Sequence, residues 1–179
     1  MRAKSGATRI MPEIVFDTCV ISNFALAGAL EVIAELYRGK AHIPEFVAAE
    51  IMRGVQAGNV GLAAVPEAVR AGWLKETGLR SRQERALFES LSRSLGLGEA
   101  AGIAVAGRRG FYFASDDKLA RTEAARLGIS LTGTLGILSR AVRGGVCDAR
   151  AADGHLAKMI DAGFFSPVRS LGEILSDNP

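Results

Sequence analysis

The most informative stretch of the chain is Ile14-Val15-Phe16-Asp17-Thr18, in which three apolar residues end at a carboxylate. A helical pattern begins a few residues later, so the stretch predicts a buried strand followed by a helix. In open α/β sheets, ligands bind outside the carboxyl ends of the strands, which is where Asp17 would lie. A second interpretation stays open, because aspartate is also a leading helix N-cap residue.

Length and composition predict one globular domain with a proper hydrophobic core. The chain has 179 residues, of which 49% are hydrophobic, and its formal net charge is +3. We expect a loosely ordered lead-in over residues 1–12 and a single domain over residues 13–179. No apolar run is long enough to cross a bilayer, and the basic N-terminus lacks the apolar stretch of a secretory signal. The expectation is therefore a cytoplasmic protein that does not enter a membrane.

Short apolar strands alternate with helical segments along the chain. Strands are predicted at residues 13–17, 41–44, 73–77, 111–115 and 129–133. Helices are predicted between them, and two more are expected at residues 153–162 and 168–175. This alternation predicts an α/β fold with a mainly parallel central sheet that is covered by helices on both faces.

Acidic residues recur where this fold would bring them to one edge of the sheet. Asp17 and the pair Asp116-Asp117 each follow a predicted strand, Glu99 begins a helix, and Glu50 lies on another helix. Like charges in one site raise each other's pKa and oppose folding. A divalent cation with oxygen ligands, such as Mg²⁺ or Mn²⁺, would relieve that repulsion.

Each of these acids also has a simpler interpretation. Asp116 or Asp117 would serve as the N-cap of the next helix, and Glu99 would be a favourable charge at a helix N-terminus. Glu50 would be an exposed helix residue, since glutamates are rarely buried. The order of the acids along the chain favours a shared site over four separate structural roles.

That order resembles the PIN-domain nucleases. The matching segments are Phe-Asp-Thr-x-Val-Ile from Phe16, Ile-Pro-x-x-Val-x-x-Glu-Ile from Ile43, Leu-Gly-x-Gly-Glu-Ala from Leu95, and Ser-Asp-Asp-Lys-x-Ala-Arg from Ser115. Residues 132–136 and 162–166 also look like one prokaryotic branch of that family, the VapC-type toxins. The resemblance covers residues 13–175 and implies a PIN-like three-layer sandwich.

The resemblance implies a metal-dependent ribonuclease that hydrolyses phosphodiester bonds in RNA with Mg²⁺ or Mn²⁺. Asp17, Glu99 and Asp117 would be the nearest metal ligands, and Asp117 is favoured over Asp116 because the family's last acid stands two residues after a Ser or Thr. Glu50 would act through water or accept a proton. The orienting hydroxyls would be those of Thr18, next to Asp17, and of Ser115.

Basic residues and partners complete the expectations. Arg108, Arg109, Lys118 and Arg121 are placed in the sequence to flank the acidic edge and to hold RNA phosphates, although for any single one of them a solvated surface position is the simpler interpretation. The resemblance further implies a toxin that is held inactive by a small antitoxin protein, and a two-fold homodimer. Apolar residues of the last helices, such as Leu156, Met159 and Phe165, are expected to contribute to a partner surface, and a monomer that takes them into its core is the alternative.

Two other functions stay open from the sequence. One is a non-catalytic PIN-like module that binds nucleic acid or protein. The other is an aspartate-dependent phosphatase, although phosphatases of the haloacid dehalogenase type use Asp-x-Asp, and Cys19 occupies the second of those positions.

Overall fold

The computed structural model describes residues 11–175, and within them the strands form one five-stranded parallel sheet. The strands are β1 (Ile14–Phe16), β2 (Ala41–Pro44), β3 (Leu74–Thr77), β4 (Tyr112–Ala114) and β5 (Leu131–Thr132). Their order across the sheet is β3-β2-β1-β4-β5, with Ile14 aligned with Ala41 on one side and with Tyr112 on the other. The predicted parallel sheet is confirmed, and each predicted strand overlaps an observed one.

Helices connect successive strands and cover the sheet. They are α1 (Thr18–Leu26), α2 (Leu30–Tyr37), α3 (Glu45–Gln56), α4 (Ala64–Arg70), α5 (Arg82–Leu91), α6 (Leu97–Arg109), α7 (Lys118–Arg126), α8 (Thr134–Arg143), α9 (Ala149–Asp161) and α10 (Gly172–Leu175). A short 3₁₀ helix, Val60–Ala63, precedes α4.

Two hydrophobic cores lie on opposite faces of the sheet. Successive strand residues point to opposite faces, so Ile14 and Phe16 of β1 enter one core and Val15 enters the other. The first core includes residues of α1, α2, α8 and α9, and the second includes residues of α6 and α7. The two cores confirm the predicted α/β three-layer sandwich.

Helix α6 approaches the sheet closely because small residues face it. All residues from Ala100 to Ala106 are buried. A Cβ added to Gly102 would lie 2.6 Å from a ring carbon of Phe113 on β4, so only glycine fits there without movement. This close packing fixes the start of α6 near the carboxyl ends of β1 and β2.

Two helix boundaries differ from the sequence prediction. Helix α9 begins four residues earlier than expected, because Asp148 caps it by accepting a hydrogen bond from the backbone N–H of Ala151 at 2.7 Å. The predicted helix over 168–175 is observed only as α10. Residues 1–10 of the expected lead-in lie outside the described residues.

The helices within residues 11–175 are too short or too polar to cross a membrane singly. Helices α1 and α2 reach the length and composition of a membrane span only as a pair, bent by 118°.

Candidate active site

The acidic residues lie beside β1, at the point in the sheet where the order of the strands changes direction. The chain adds β2 and β3 on one side of β1, and then returns to add β4 and β5 on the other side. Parallel α/β sheets bind ligands outside the carboxyl ends of the strands at such a switch point. Asp17 is the first residue after β1, and Asp116 is the second residue after β4. The backbone N–H of Asp17 donates to the carbonyl of Ala114 at 3.0 Å, so the ends of the two strands are joined.

Asp17 is both a helix cap and a buried carboxylate at this edge. Its side chain is 1% exposed, and its Oδ1 accepts a hydrogen bond from the backbone N–H of Val20 at 2.9 Å. The thiol of Cys19 lies 3.0 Å from each carboxylate oxygen, and the hydroxyl of Ser115 also bonds to the carboxylate. Burial outweighs these bonds and raises the pKa of Asp17 to about 6. The two interpretations of Asp17 from the sequence are therefore compatible with each other.

Glu50 is held by Thr18 on the neighbouring helix. The hydroxyl of Thr18 donates a hydrogen bond to Oε2 of Glu50, across 32 positions of sequence. The sequence prediction paired Thr18 with Asp17, whereas the observed partner is Glu50, because the first turn of α1 directs this hydroxyl towards α3. A Cβ at Gly98 would lie 3.1 Å from Glu50 Oε2 and 3.3 Å from Thr18 Oγ1, so a glycine at the start of α6 lets the three helices meet.

Glu99 lies in the first turn of α6 beside the other acids. Its Oε2 accepts a hydrogen bond from the backbone N–H of Gly96 at 3.0 Å. The pKa of Glu99 is raised by burial first, and then by the negative charges of Asp117 and Glu50. Glu99 and Glu50 therefore lie close to each other, and the charge of Asp117 also acts on Glu99.

A cavity of about 340 Å³ opens beside these acids, and Asp117 is not among the residues that line it. Three carboxylates line it, those of Asp17, Glu50 and Glu99. The remaining lining residues are Thr18, Cys19, Ser22, Gly96 and Gly98.

The two consecutive aspartates after β4 have different surroundings. Asp116 accepts hydrogen bonds from the backbone N–H of Thr134 at 2.9 Å, from its hydroxyl at 2.6 Å and from the side-chain amide of Asn23 at 3.3 Å. Asp117 caps α7 by accepting from the backbone N–H of Ala120 at 2.8 Å. Its own backbone N–H donates to Ser115 Oγ at 3.1 Å.

Asn23 and Thr134 were not recognised from the sequence as site residues. Thr134 lies in the segment 132–136 that resembles the VapC-type toxins, but the pattern of that segment predicts no role for its side chain. Asn23 sits in the middle of α1, and its contact with Asp116 spans 93 positions. No local pattern marks such a contact.

The four predicted RNA-binding cations are in different places. Lys118 is exposed at the start of α7, and Arg121 donates from Nη1 to the carbonyls of Ser115 and Thr132 at 2.7 and 2.8 Å. Arg108 and Arg109 end α6, about 15 Å along the helix axis from Glu99. Arg109 is also held by Glu84, with Nε 2.7 Å from Oε1, and by the carbonyl of Gly78 at 2.8 Å. The structure therefore does not bring Arg108 and Arg109 to the acids.

The donor chemistry of the cavity fits a hard divalent cation. Within residues 11–175, no ion pair of 4.0 Å or less joins a lysine, arginine or histidine to Asp17, Glu50 or Glu99. Within the described part of the chain, no three His, Cys, Asp or Glu side chains are already arranged to hold a metal ion. Mg²⁺ usually takes one or two carboxylates and keeps waters and substrate phosphates as its other ligands, so this oxygen-rich cavity suits it.

Similarity of this chain to known proteins is found at the level of a family model. No curated protein and no solved structure matches the chain. A family model described as a PIN domain matches residues 13–178, which is nearly the whole chain and includes every acid named above. PIN domains are generally nucleases that use divalent metals. On this match, the chain belongs to the PIN-domain family.

Proposed function

We propose that this protein is a Mg²⁺- or Mn²⁺-dependent endoribonuclease of the cytoplasm. The observation that carries the proposal is the cavity at the carboxyl ends of β1 and β2, which Asp17, Glu50 and Glu99 share. Burial is the main cause that raises the pKa of both Asp17 and Glu99, and nearby carboxylates add to it, Asp116 for Asp17 and Asp117 and Glu50 for Glu99. Groups held at such an energetic cost are typical of functional sites.

Asp17, Glu99 and Asp117 would hold the cation. A bound Mg²⁺ or Mn²⁺ would supply Lewis-acid activation of water and would neutralise charge on the scissile phosphate. Glu50, whose other oxygen is not engaged by Thr18, would take the proton from the attacking water. The Thr18 hydroxyl keeps this carboxylate turned towards the cavity.

Neighbouring groups fix the geometry of the acids before substrate binds. Cys19, Val20 and Ser115 together restrain the Asp17 carboxylate, so it cannot rotate away from the cavity. The hydrogen bonds of Asp116 with Thr134 and Asn23 join the end of β4 to α8 and α1. We assign Asp116 this positioning role, which leaves Asp117 as the proposed ligand.

The residue next to the Asp17 carboxylate favours the nuclease over a phosphatase that uses an aspartyl nucleophile. The Cys19 thiol lies 3.0 Å from each oxygen of Asp17, so its close side-chain neighbour at position 19 is a thiol and not a second carboxylate. The thiol also occupies the position where a phosphatase of the haloacid dehalogenase type has its second aspartate.

A cleavage assay separates the three functions. The protein is incubated with a labelled unstructured RNA, and separately with a chromogenic phosphate monoester, in Mg²⁺, in Mn²⁺ and in EDTA. A ribonuclease that uses water as its nucleophile cuts the RNA only with metal and leaves no 2′,3′-cyclic phosphate. Hydrolysis of the monoester alone would support a phosphatase, and RNA binding without cleavage would support a non-catalytic module.

The resemblance of residues 132–136 and 162–166 to VapC-type toxins supports a toxin role with a small antitoxin partner. An antitoxin that presents Arg or Lys to the acidic cavity would compete with the cation. Its binding should then weaken as Mg²⁺ rises in a titration. Binding that does not depend on Mg²⁺ would place the antitoxin elsewhere on the surface.

A further inference from the structure

A second concavity opens beside the edge strand β5, next to the proposed metal site. This groove, of about 560 Å³, is bounded by the end of β5, the first turns of α8 and the segment that follows α9. Asp116 is in its wall, one residue from the proposed metal ligand Asp117. One wall of the groove therefore lies at the carboxyl end of β4, where Asp116 and Asp117 follow the strand.

Two arginines give the groove an excess of positive charge. Arg121 uses Nη1 to hold the carbonyls of Ser115 and Thr132, and Arg140 lies over the ring of Tyr112, with its Cζ 5.8 Å from the ring centroid. Within residues 11–175, neither guanidinium forms an ion pair with a carboxylate. Each keeps further N–H donors for an anion.

The nearby carboxylate of Asp116 does not neutralise this charge through a direct ion pair. Its two oxygens are directed to Thr134 and Asn23. An anionic ligand in the groove would therefore meet the two guanidinium groups as its charged partners.

Phe165 supplies an aromatic face at the same groove. Its side chain is 92% exposed, the highest value among the exposed large apolar residues of the described chain. Its neighbours are anchored: Phe164 packs against the first core, and the Ser166 hydroxyl donates to the carbonyl of Val168 at 2.6 Å. An exposed ring on an anchored backbone suits stacking with an unpaired base.

We propose that this groove binds a nucleotide of single-stranded RNA that flanks the scissile phosphate. The base stacks on Phe165, and the backbone phosphate accepts hydrogen bonds from Arg140 and Arg121. Bases in a duplex are already stacked on each other, so the groove favours unpaired RNA. The inference rests on the proposed ribonuclease function, because it takes RNA as the ligand.

Binding without cleavage tests the groove apart from the chemistry. A short unstructured RNA that carries 2-aminopurine is titrated with the full chain in EDTA, and both anisotropy and 2-aminopurine fluorescence are followed. Phe165→Ala should weaken binding about tenfold and remove the fluorescence change, because one stacked base is lost. Arg140→Gln should lower the slope of log affinity against log salt by about 0.7, the loss of one phosphate contact on a single strand.

Matched controls lie on the same kinds of surface. Arg143→Gln changes an exposed arginine on α8 one turn away, and Val60→Ala changes another exposed apolar residue, far from the groove. Both should bind as the wild type does. Thermal unfolding checks that Arg140→Gln is folded, and Phe165→Ala removes only an exposed side chain.

The outcomes separate this inference from the proposed function. Unchanged RNA binding by Phe165→Ala overturns the groove assignment, even if the wild type cuts RNA with metal. The groove assignment is also overturned if the only effect of Phe165→Ala is to turn a dimer into a monomer. A wild type that binds RNA through Phe165 but never cleaves it would retain the groove and overturn the ribonuclease.

Discussion

At the scale of single residues, an ion pair outside the candidate site joins the buried side chain of Glu84 to Arg109. The Glu84 side chain is 4% exposed and lies 2.7 Å from the guanidinium. Hydrogen bonding from Arg109 lowers the pKa of Glu84 to about 2, from an ordinary value of 4.5. Because the pKa is lower in the folded state, the pair stabilises the fold above pH 4.5, and this stabilisation is lost as the pH falls towards 2.

Glu84→Gln should therefore destabilise the protein at neutral pH by about 3 kcal/mol, the free energy that corresponds to this pKa difference. The difference from the wild type should shrink as the pH is lowered from 4.5 towards 2, as measured by urea unfolding. Glu123→Gln is the matched control, since its partner Arg126 is largely exposed and such pairs contribute about 1 kcal/mol or less. An equal loss in both variants would contradict the assignment.

Residue-level contacts were the least predictable part of the structure. The strand-end positions of Asp17 and Asp117 follow from local patterns, because an apolar run and a helix start lie on either side of each. The partner of Thr18 could not be read in this way, because Glu50 is 32 positions away. Nor could the pairing of Arg109 with Glu84, which depends on how α5 packs against α6.

At the scale of elements, sequence and structure agree where the signals are local. The predicted strand over 41–44 has the bounds of β2, since Pro44 ends the strand and is the N-cap residue of α3. Helix α5 begins after Ser81, with a complete capping box to Glu84. The start of α9 was missed because the Asp148 cap precedes an alanine-rich turn without apolar periodicity.

The close contact of α6 with β4 gives an element-scale prediction. Gly102→Ala should destabilise the protein by about 1–3 kcal/mol, because its Cβ would lie 2.6 Å from the ring of Phe113. Gly154→Ala, in helix α9, meets no atom within 4 Å and should stabilise by up to about 1 kcal/mol. Urea midpoints measure both changes. A Gly102→Ala protein as stable as the wild type would show that the helix can move away from the sheet.

At the scale of the whole molecule, the expectation that Leu156 and Met159 contribute to a partner surface is wrong. Leu156 and Met159 are fully buried in the first core, so they are not available to a partner. Val60 and Phe165 remain exposed, at 81% and 92%. The homodimer stays a proposal that rests on the family resemblance and on such exposed apolar residues.

Light scattering over a dilution series tests the proposed homodimer. A stable symmetric dimer buries at least about 1,000 Å² and should keep twice the monomer mass at micromolar concentration. A monomer mass throughout the series would contradict it.

Asp17→Asn is suited to testing the central claim because it removes charge and retains the shape of the side chain. Burial raises the pKa of Asp17 from 3.8 to about 6, so the folded state holds its proton more tightly than the unfolded state. The stability that comes from the protonated form is present below pH 3.8 and is lost as the pH rises through about 6. At pH 7.5 without metal, the variant should therefore be no less stable than the wild type.

The central claim is that Asp17, Glu99 and Asp117, at the carboxyl edge of the sheet, hold the cation that drives RNA cleavage. The most direct measurement is a Mn²⁺ titration of the wild type and Asp17→Asn at pH 7.5, with cleavage of an unstructured RNA and the melting temperature followed on the same preparations. In the wild type, cleavage and melting temperature should rise together with Mn²⁺, since a ligand of the folded state stabilises it. Asp17→Asn should remain folded and lose both responses, and metal-dependent cleavage at the wild-type rate by this variant would contradict the account.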